Sequence, residues 1–491
     1  MIGVARLKAG PASGGRGLGR ATAAAALAVL VFAGVAAGPP VAPGEAATAT
    51  YFASIRNQPS LLLAFLTQMP KGGDLHNHLS GAIYAESFLR WAADDGLCVA
   101  TATMSIVAGT CDAGAARPPA ADVMRNGVLF NQAIDAMSMR HWDRSLNGHD
   151  HFFATFGKFG PASAKTGEML AEVSARAAAE QVSYLELMLT PDGGVGAARG
   201  LAAGWDPDFA TLRDRLLAAG FHDAVVGAAR GRLDQAEARQ RELLKCGASP
   251  PDPGCRVTVR YISQVGRAGA RESVFAQMLA GFEVAAADSR VVGLNLVQPE
   301  DDPVAVRDFS LQMSMLEFLH GLYPGVQITL HAGELVEGLV PPETLRFHIR
   351  ESVRVGHALR IGHGAGVMYE DDPLTLLREL ASKKVLVEIA LSSNDLILGI
   401  KGSRHPLRTY LNYGVPVALV TDDAGVSRST LTLEYRKAVE EHGVDYRTLK
   451  RMARNSVDFS FADAATKTRV RADLDSAFRA FEGRLLRRPR S

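Results

Sequence analysis

The histidine and carboxylate residues that could do chemistry in this chain sit in four short runs separated by long intervals. The first is Pro70-Lys-Gly-Gly-Asp-Leu-His76-Asn-His78-Leu-Ser80-Gly-Ala. On a strand, residues i and i+2 point to the same side. His76 and His78 can therefore present two imidazole nitrogens to one point, which is half of a zinc site. Alone, a His-x-His pair is more readily two ordinary surface histidines than a metal site. Three later runs shift the balance: His331-Ala-Gly-Glu334, Arg360-Ile-Gly-His363-Gly and Thr421-Asp422-Asp423. His76, His78 and His331 supply three nitrogens and Asp422 one oxygen, leaving room for water around a tetrahedral or five-coordinate ion. Nitrogen and carboxylate donors without thiolate suit zinc, with iron or cobalt as alternatives. A bound metal lowers the pKa of its water towards about 7. His363 can take or steer that water's proton. Glu334, three residues past a ligand, can donate a proton to substrate. Asp423, beside a ligand but pointing away from it, can bind substrate.

What must position these residues is a ring of strand ends. Apolar, β-branched runs occur at 73–78, 182–189, 257–265, 291–297, 326–330, 359–362, 385–391 and 415–421. Helical patterns lie between most of them. Strand–helix alternation implies parallel strands with right-handed crossovers. Eight such units predict an α/β fold, a (β/α)8 TIM barrel with inserted helices, whose strand C-termini ring the active site. A doubly wound open sheet is the alternative, but no Gly-x-Gly-x-x-Gly follows the first strand. The domain is expected over 50–486, with an insertion near 98–159 that is irregular up to Pro119 and helical beyond it. Helical segments over 431–486 complete the outer layer. The basic tail, 487–491, reads as a solvated end.

The 491 residues are 47% hydrophobic and 21% charged, a globular composition with a formal net charge of +1. No global field draws nucleic acid or an anionic membrane, so the expected partner is a small molecule, with a homodimer compatible with the reading. The first 49 residues differ. Arg6, Lys8, Arg16 and Arg20 precede an apolar run over 21–37, and small residues follow. That is a secretory signal pattern, too short for an ordinary spanning helix, with an uncleaved anchor as the alternative. Cleavage after Ala37 or near 47–49 would fit, and the product would be exported, periplasmic or extracellular, with no stable membrane insertion after processing. The four cysteines form close pairs in sequence, which favours Cys98–Cys111 and Cys246–Cys255 and suits an oxidising compartment.

Taken together, these runs resemble the adenosine deaminase family of metal-dependent amidohydrolases, particularly its secreted, growth-factor-like branch. The resemblance spans roughly 60–465 in order. It also includes Tyr184-Leu-Glu186, Glu388 through Ser393-Asn394, His405-Pro406, Ser429-Thr-Leu and Asn455-Ser-Val-Asp-Phe-Ser-Phe461. It implies one zinc per subunit on His76, His78, His331 and Asp422. It implies that Glu334 protonates purine N1, that His363 orients and deprotonates the water, and that Asp423 contacts purine N7. The implied reaction is hydrolytic deamination of adenosine or 2′-deoxyadenosine to the inosine nucleoside and ammonia. His78, Ser80, Gln298 and Asp423 fall on substrate-binding positions.

Three residues depart from the family pattern. Ser80 replaces an aspartate that touches a ribose hydroxyl, Gln298 replaces a glycine whose N–H meets the purine, and Ala424 replaces a proline. These leave the substrate open. Another amino-purine or an amide is the alternative, as is a non-catalytic nucleoside-binding module. His141, His149 and His151 read as surface residues, one of which could sit by a substrate entrance. Phe152, Phe153, Phe156 and Phe159 read as core, with one available to an adenine pocket. His348 and His357 read as structural. Glu186 is open between a sugar contact and a supporting role.

Overall fold

The computed structural model describes residues 43–112, 116–143 and 148–486. The expected leader up to residue 42 and the basic tail 487–491 lie outside the described residues.

Eight parallel strands run in sequence order around the molecule: β1 (Gly72–His78), β2 (Val182–Leu189), β3 (Thr258–Gly266), β4 (Val291–Val297), β5 (Gln327–Ala332), β6 (Arg360–His363), β7 (Leu386–Ile389) and β8 (Val417–Leu419). All eight fall where the apolar runs predict them, with ends shifted by a few residues. Both faces of the sheet are covered, so the strands read as continuous apolar runs. Just beyond β8, Asp422 N–H donates to the His76 carbonyl at 2.9 Å, and His78 N–H donates to the Asp422 carbonyl at 3.3 Å. This isolated parallel bridge nearly closes the ring. It also sets Asp422 beside the two histidines of β1, so closing the barrel and assembling the site are one event.

The crossovers are helical, for example Arg271–Ala287 after β3 and Pro303–Leu322 after β4. Their inward faces and the strands make one apolar core that includes Phe275, Leu279, Phe309 and Leu316. The inserted region is a short antiparallel hairpin, Cys98–Ala100 with Ser105–Val107, followed by helices Ala120–Arg125, Gly127–Ala136 and His149–Phe159. Asn126 separates the first two helices and caps the second, accepting from the amides of Val128 and Leu129. The last helix of the insertion lies over the C-terminal end of the barrel.

The first described helix, Pro43–Ile55, overlaps the stretch read as leader. It is anchored to the C-terminal helix Ala464–Leu486 and its neighbour. Lys450 bridges Glu45 and Glu482 at 2.7 and 2.6 Å, and Phe65 packs against Phe52 and Phe481. Residues 43–49 are therefore part of the folded unit. Both cysteine pairs form as expected, Cys98–Cys111 and Cys246–Cys255. Among the described residues, no helix is long and apolar enough to cross a membrane.

Candidate active site

Strand alternation does what the spacing predicts. His76 and His78 leave β1 on the same side and meet His331 from the end of β5. Nε2 of His331 lies 3.0 Å from Nε2 of His76 and 3.2 Å from Nε2 of His78. Asp422 Oδ1 lies 3.4 Å from both β1 nitrogens. The four donor atoms all fall within 4.8 Å of one another.

The partners of the outer ring atoms fix the protonation of the inner ones. Asn295 Oδ1 accepts from the His331 backbone N–H at 3.0 Å, so it is the carbonyl oxygen. It must then also accept from His331 Nδ1, again at 3.0 Å. His76 Nδ1 donates to Glu388 Oε2 at 2.8 Å. The proton of each ring is thereby held on Nδ1, and each Nε2 turns a lone pair inward. Ser393 Oγ donates to Asp422 Oδ2 at 2.7 Å, which leaves Oδ1 for the centre. Two imidazole lone pairs 3.0 Å apart, with a carboxylate beside them, repel unless a cation lies between. Against burial, which lowers it, hydrogen bonds with Asp422 and Glu388 raise His76 to about 10, so its inward Nε2 lone pair binds either a proton or a metal cation in that proton's place. The donor set thus fits zinc, and its residues would be His76, His78, His331 and Asp422.

A buried polar chain supports this corner, and only part of it is evident from sequence. Arg360 bonds Glu388 at 2.6 Å and Glu186 at 2.6 Å, with its guanidinium 3.7 Å over the Phe461 ring. Glu186 also accepts from Tyr184 Oη and the Phe461 amide. Glu186 is therefore a supporting group inside the barrel and not a sugar contact. Glu300 accepts from the amides of Gly333 and Glu334 at 3.0 and 2.7 Å and from His348 Nδ1 at 2.6 Å. His348 is thus structural, as expected, and it acts by fixing the turn that carries Glu334. Arg267, fully buried, donates to the carbonyls of Leu296 and His331. Asn295, Glu300 and Arg267 carry no motif of their own. An isolated polar residue inside an apolar strand, such as Asn295 in Val-Gly-Leu-Asn-Leu-Val, is the signal that could have found the first of them.

Glu334, His363 and Asp423 converge beside the metal corner. His363 Nε2 lies 3.4 Å from Glu334 Oε1. Glu334 Oε1, His363 Nε2 and Asp423 Oδ1 are buried and have no hydrogen-bond partner among the described residues. Three unpartnered buried polar atoms in one place mark a ligand-binding surface. Burial, then the charges of Asp422 and Glu300, pushes Glu334 well above the usual carboxyl range, which favours its protonated form. Burial, then the Asp422 charge, does the same to Asp423. Burial lowers His363 to about 4, so its ring is neutral. Backbone strain accompanies this placement: His363, Asp422 and Gln298 adopt φ of 67°, 59° and 80° at the ends of their strands. Gly81 is required for close approach, since a Cβ there would lie 1.6 Å from Asp423 Oδ1.

A relay of hydrogen bonds decides which His363 nitrogen bears the proton. The Leu407 backbone N–H donates to His405 Nδ1 at 3.1 Å. His405 is neutral, lowered to about 3 chiefly by burial, so its proton sits on Nε2. That proton goes to Asn394 Oδ1 at 3.0 Å, and Asn394 Nδ2 then donates to His363 Nδ1 at 3.0 Å. The neutral His363 ring therefore presents Nε2–H to the reaction space. Of the two expectations for His363, taking a proton or steering, the relay favours steering.

These groups face a cavity of about 320 Å³, lined by His78, Ser80, Gln298, His331, Glu334, Asp422 and Asp423 and roofed by Phe152, Phe153 and Phe156 of the inserted helix. Three of the four phenylalanines thus reach the site, while Phe159 stacks on Phe88 in the core at 4.4 Å. The Gln298 side chain turns away, accepting from the Ala268 amide at 2.9 Å, so it does not crowd the cavity. His149 clasps the roof to the loop after β4 through Asp301 at 2.9 Å. His151 stacks on Trp142 and bonds the Ser138 carbonyl, and His141 stays exposed. His357 stacks on His320 at a centroid distance of 4.4 Å.

Comparison with known proteins agrees with this geometry. The adenosine deaminase family pattern matches residues 164–477. Aminodeoxyfutalosine deaminase of Streptomyces coelicolor is 31% identical over 160 residues, covering 32% of this chain and 38% of that protein. Adenosine deaminase of Enterococcus faecalis is 28% identical over 194 residues, covering 39% of this chain and 52% of that protein. The chain thus spans about half or less of the length of these curated relatives. A solved amidohydrolase from Burkholderia ambifaria, with bound zinc, shares the fold at a TM-score of 0.57 and 17% identity, covering 86% of this chain and 94% of that one. With the match running over more than half its length, this chain belongs to the adenosine deaminase family.

Proposed function

We propose that this protein is an exported zinc-dependent deaminase of purine nucleosides, converting adenosine or 2′-deoxyadenosine to the inosine nucleoside and ammonia, with one zinc per subunit. The observation that carries the reading is the locked corner: inward lone pairs on His76 and His331, with His78 and Asp422, beside a buried Glu334 whose Oε1 has no partner among the described residues and opens onto a cavity. Both curated relatives are named as deaminases, which supports the reaction class.

When bound, zinc supplies hydroxide at neutral pH by lowering the pKa of its water towards about 7. The chain's own residues prepare the purine for attack at C6. Glu334 donates its proton to ring N1, which draws electrons from C6. His363 Nε2–H points into the same space and holds the attacking oxygen through one lone pair. Asp423 turns Oδ1 to the N7 edge. Gln298 offers its backbone N–H to the ring, its side chain being held aside by Ala268. The three phenylalanines exclude water from the base. The hydroxyl added at C6 gives its proton to the amino group as C6 becomes a carbonyl, and that group leaves as ammonia.

Export, and membership of the secreted growth-factor-like branch, are supported by the leader pattern and by two disulfides, which persist in oxidising compartments. Cleavage after Ala37 leaves helix Pro43–Ile55 whole, whereas cleavage at 47–49 cuts through it. The exported protein is expected to begin at Gly38, as N-terminal sequencing would read, and to have no free thiol.

The deciding experiment is turnover by the zinc-loaded protein. Ammonia release from adenosine or 2′-deoxyadenosine, with the matching change in the purine ultraviolet band, is expected. No turnover of either nucleoside would reject the reading.

A further inference from the structure

The cavity over the metal corner does not end at Ser80. A second cavity of about 390 Å³ borders it, and Ser80 and Gln264 line both. Gln264 forms the partition. It lines both cavities, and its Nε2 donates to Thr190 Oγ1 at 3.1 Å on the annex side. Ser80, small and uncharged, leaves the passage beside that partition open. The first cavity is at the small end of the range for ligand pockets, roughly 300 Å³ upwards, so the annex more than doubles the space open to a substrate.

The annex has a definite chemistry. Among the described residues, no acidic side chain lines it. Hydroxyls of Ser80, Ser163, Thr166 and Thr190 do, together with one cation, Arg232. Arg232 projects from helix Phe221–Leu243, and its guanidinium lies directly on Gly193, where an added Cβ would meet Cζ at 2.7 Å. Most arginines around it are committed: Arg290 to Asp288 and Asp234, Arg239 to Glu168 and Glu242. Arg232 has no carboxylate within 4.0 Å among the described residues. The nearby acid, Asp192, is buried and spent on the amides of Gly194 and Gly196. A guanidinium with hydroxyls around it is a receptor for a phosphate or carboxylate.

The geometry points to a purine nucleoside that carries an anionic oxygen group on its sugar, with the base over the metal corner and the anion reaching past Ser80 to Arg232. This inference rests on the deaminase reading and narrows it to a substrate class.

A substrate panel with the zinc-loaded full chain tests it: adenosine, its 5′-monophosphate and its 5′-carboxylate. We expect kcat/KM about tenfold higher for at least one anionic substrate than for adenosine, carried mainly by KM, as one charge-assisted contact provides. The phosphate and carboxylate arms tell which oxyanion fits. Raising ionic strength should shrink the preference, because the cation is exposed. Arg232→Ala should bring the anionic-to-neutral ratio to within about twofold, Arg232→Lys should restore part of it, and Arg232→Glu should invert it. Adenosine turned over as well as or better than both anions would overturn the annex assignment and leave the deaminase reading standing. A preference that Arg232→Glu does not move would overturn it equally. If no member of the panel is deaminated, both readings fall.

Discussion

The metal corner and the roof of the cavity are built on opposite principles. In the corner, His76, His331 and Asp422 are each pinned by a second contact, to Glu388, Asn295 and Ser393. They stand at strand ends, and two of their supports, Glu388 and Asn295, lie on barrel strands, while Ser393 lies on the helix Leu391–Leu398. The roof is a single helix, His149–Phe159, delivered by an insertion and clasped to the rim through His149 and Asp301. Its contacts with the cavity are apolar and adaptable. On the deaminase reading, the difference teaches where each property resides. The reaction would be fixed by rigid groups that tolerate no displacement, and part of the choice of substrate would rest on a surface that can be altered without touching the reaction.

The hardest test of that division is Glu334→Gln. Glutamine keeps the shape and can still accept from its surroundings, but it has no acidic proton for the ring. We expect kcat to fall by about 10²–10⁴-fold, the range for a lost general acid, with zinc content unchanged by metal analysis. Residual activity near wild type would show that the corner acts without Glu334. His331→Ala should instead lose the zinc itself, so the two variants separate proton donation from metal retention.

The sequence made this corner legible because the fold turns local spacing into geometry. A His-x-His pair on a strand must share a side, and parallel strands of a barrel must end at one rim. The eight apolar runs could be read for the same reason: buried parallel strands have no polar face to interrupt them. What was not legible depends on contacts between distant segments. Glu186 could not be assigned because its partner Arg360 lies four strands further along the chain. The Leu407 amide sets the His363 tautomer through two side chains, which no spacing rule encodes. The roof escaped because phenylalanines at helical spacing look alike whether they face a core or a cavity.

The next effect in size concerns the supports. Glu388→Gln should weaken zinc binding by about 10–100-fold, as loss of a carboxylate behind a ligating histidine does, read by competition with a chelator. It also leaves Arg360 with Glu186 as its one carboxylate partner, so thermal stability should fall as well. An unchanged affinity would mean that the corner holds its geometry without its second contacts, and the contrast with the roof would weaken. Asn394→Asp probes the relay. An aspartate cannot donate to His363 Nδ1 and would draw the proton there, turning an Nε2 lone pair towards the substrate. We expect kcat to fall by about 10²-fold, comparable to loss of one aligned donor, with KM little changed. The imidazole ¹⁵N shifts of His363 should report the exchanged tautomer. If kcat rises or stays level, His363 serves as a base and not as a donor.

The smallest effect belongs to the roof and depends on pH. Burial alone would lower the His149 pKa, but hydrogen bonds to Asp301 and the exposed Asp150 outweigh it and raise the value above the ordinary 6.5. A raised histidine pKa means that the charged clasp is fully formed below the ordinary value and is lost as pH rises through the raised one. The roof should therefore be held more tightly in mildly acidic solution than in alkaline solution. Both partners are partly open to solvent, so the clasp contributes little, at most about 1 kcal/mol. We expect KM to rise about two- to fivefold across that alkaline limb, with the steep terms in kcat unaffected. His149→Ala should show the alkaline KM at every pH and lose the limb. If the variant keeps the limb, the titrating group lies in the corner, and the roof is no more adjustable than the site it covers.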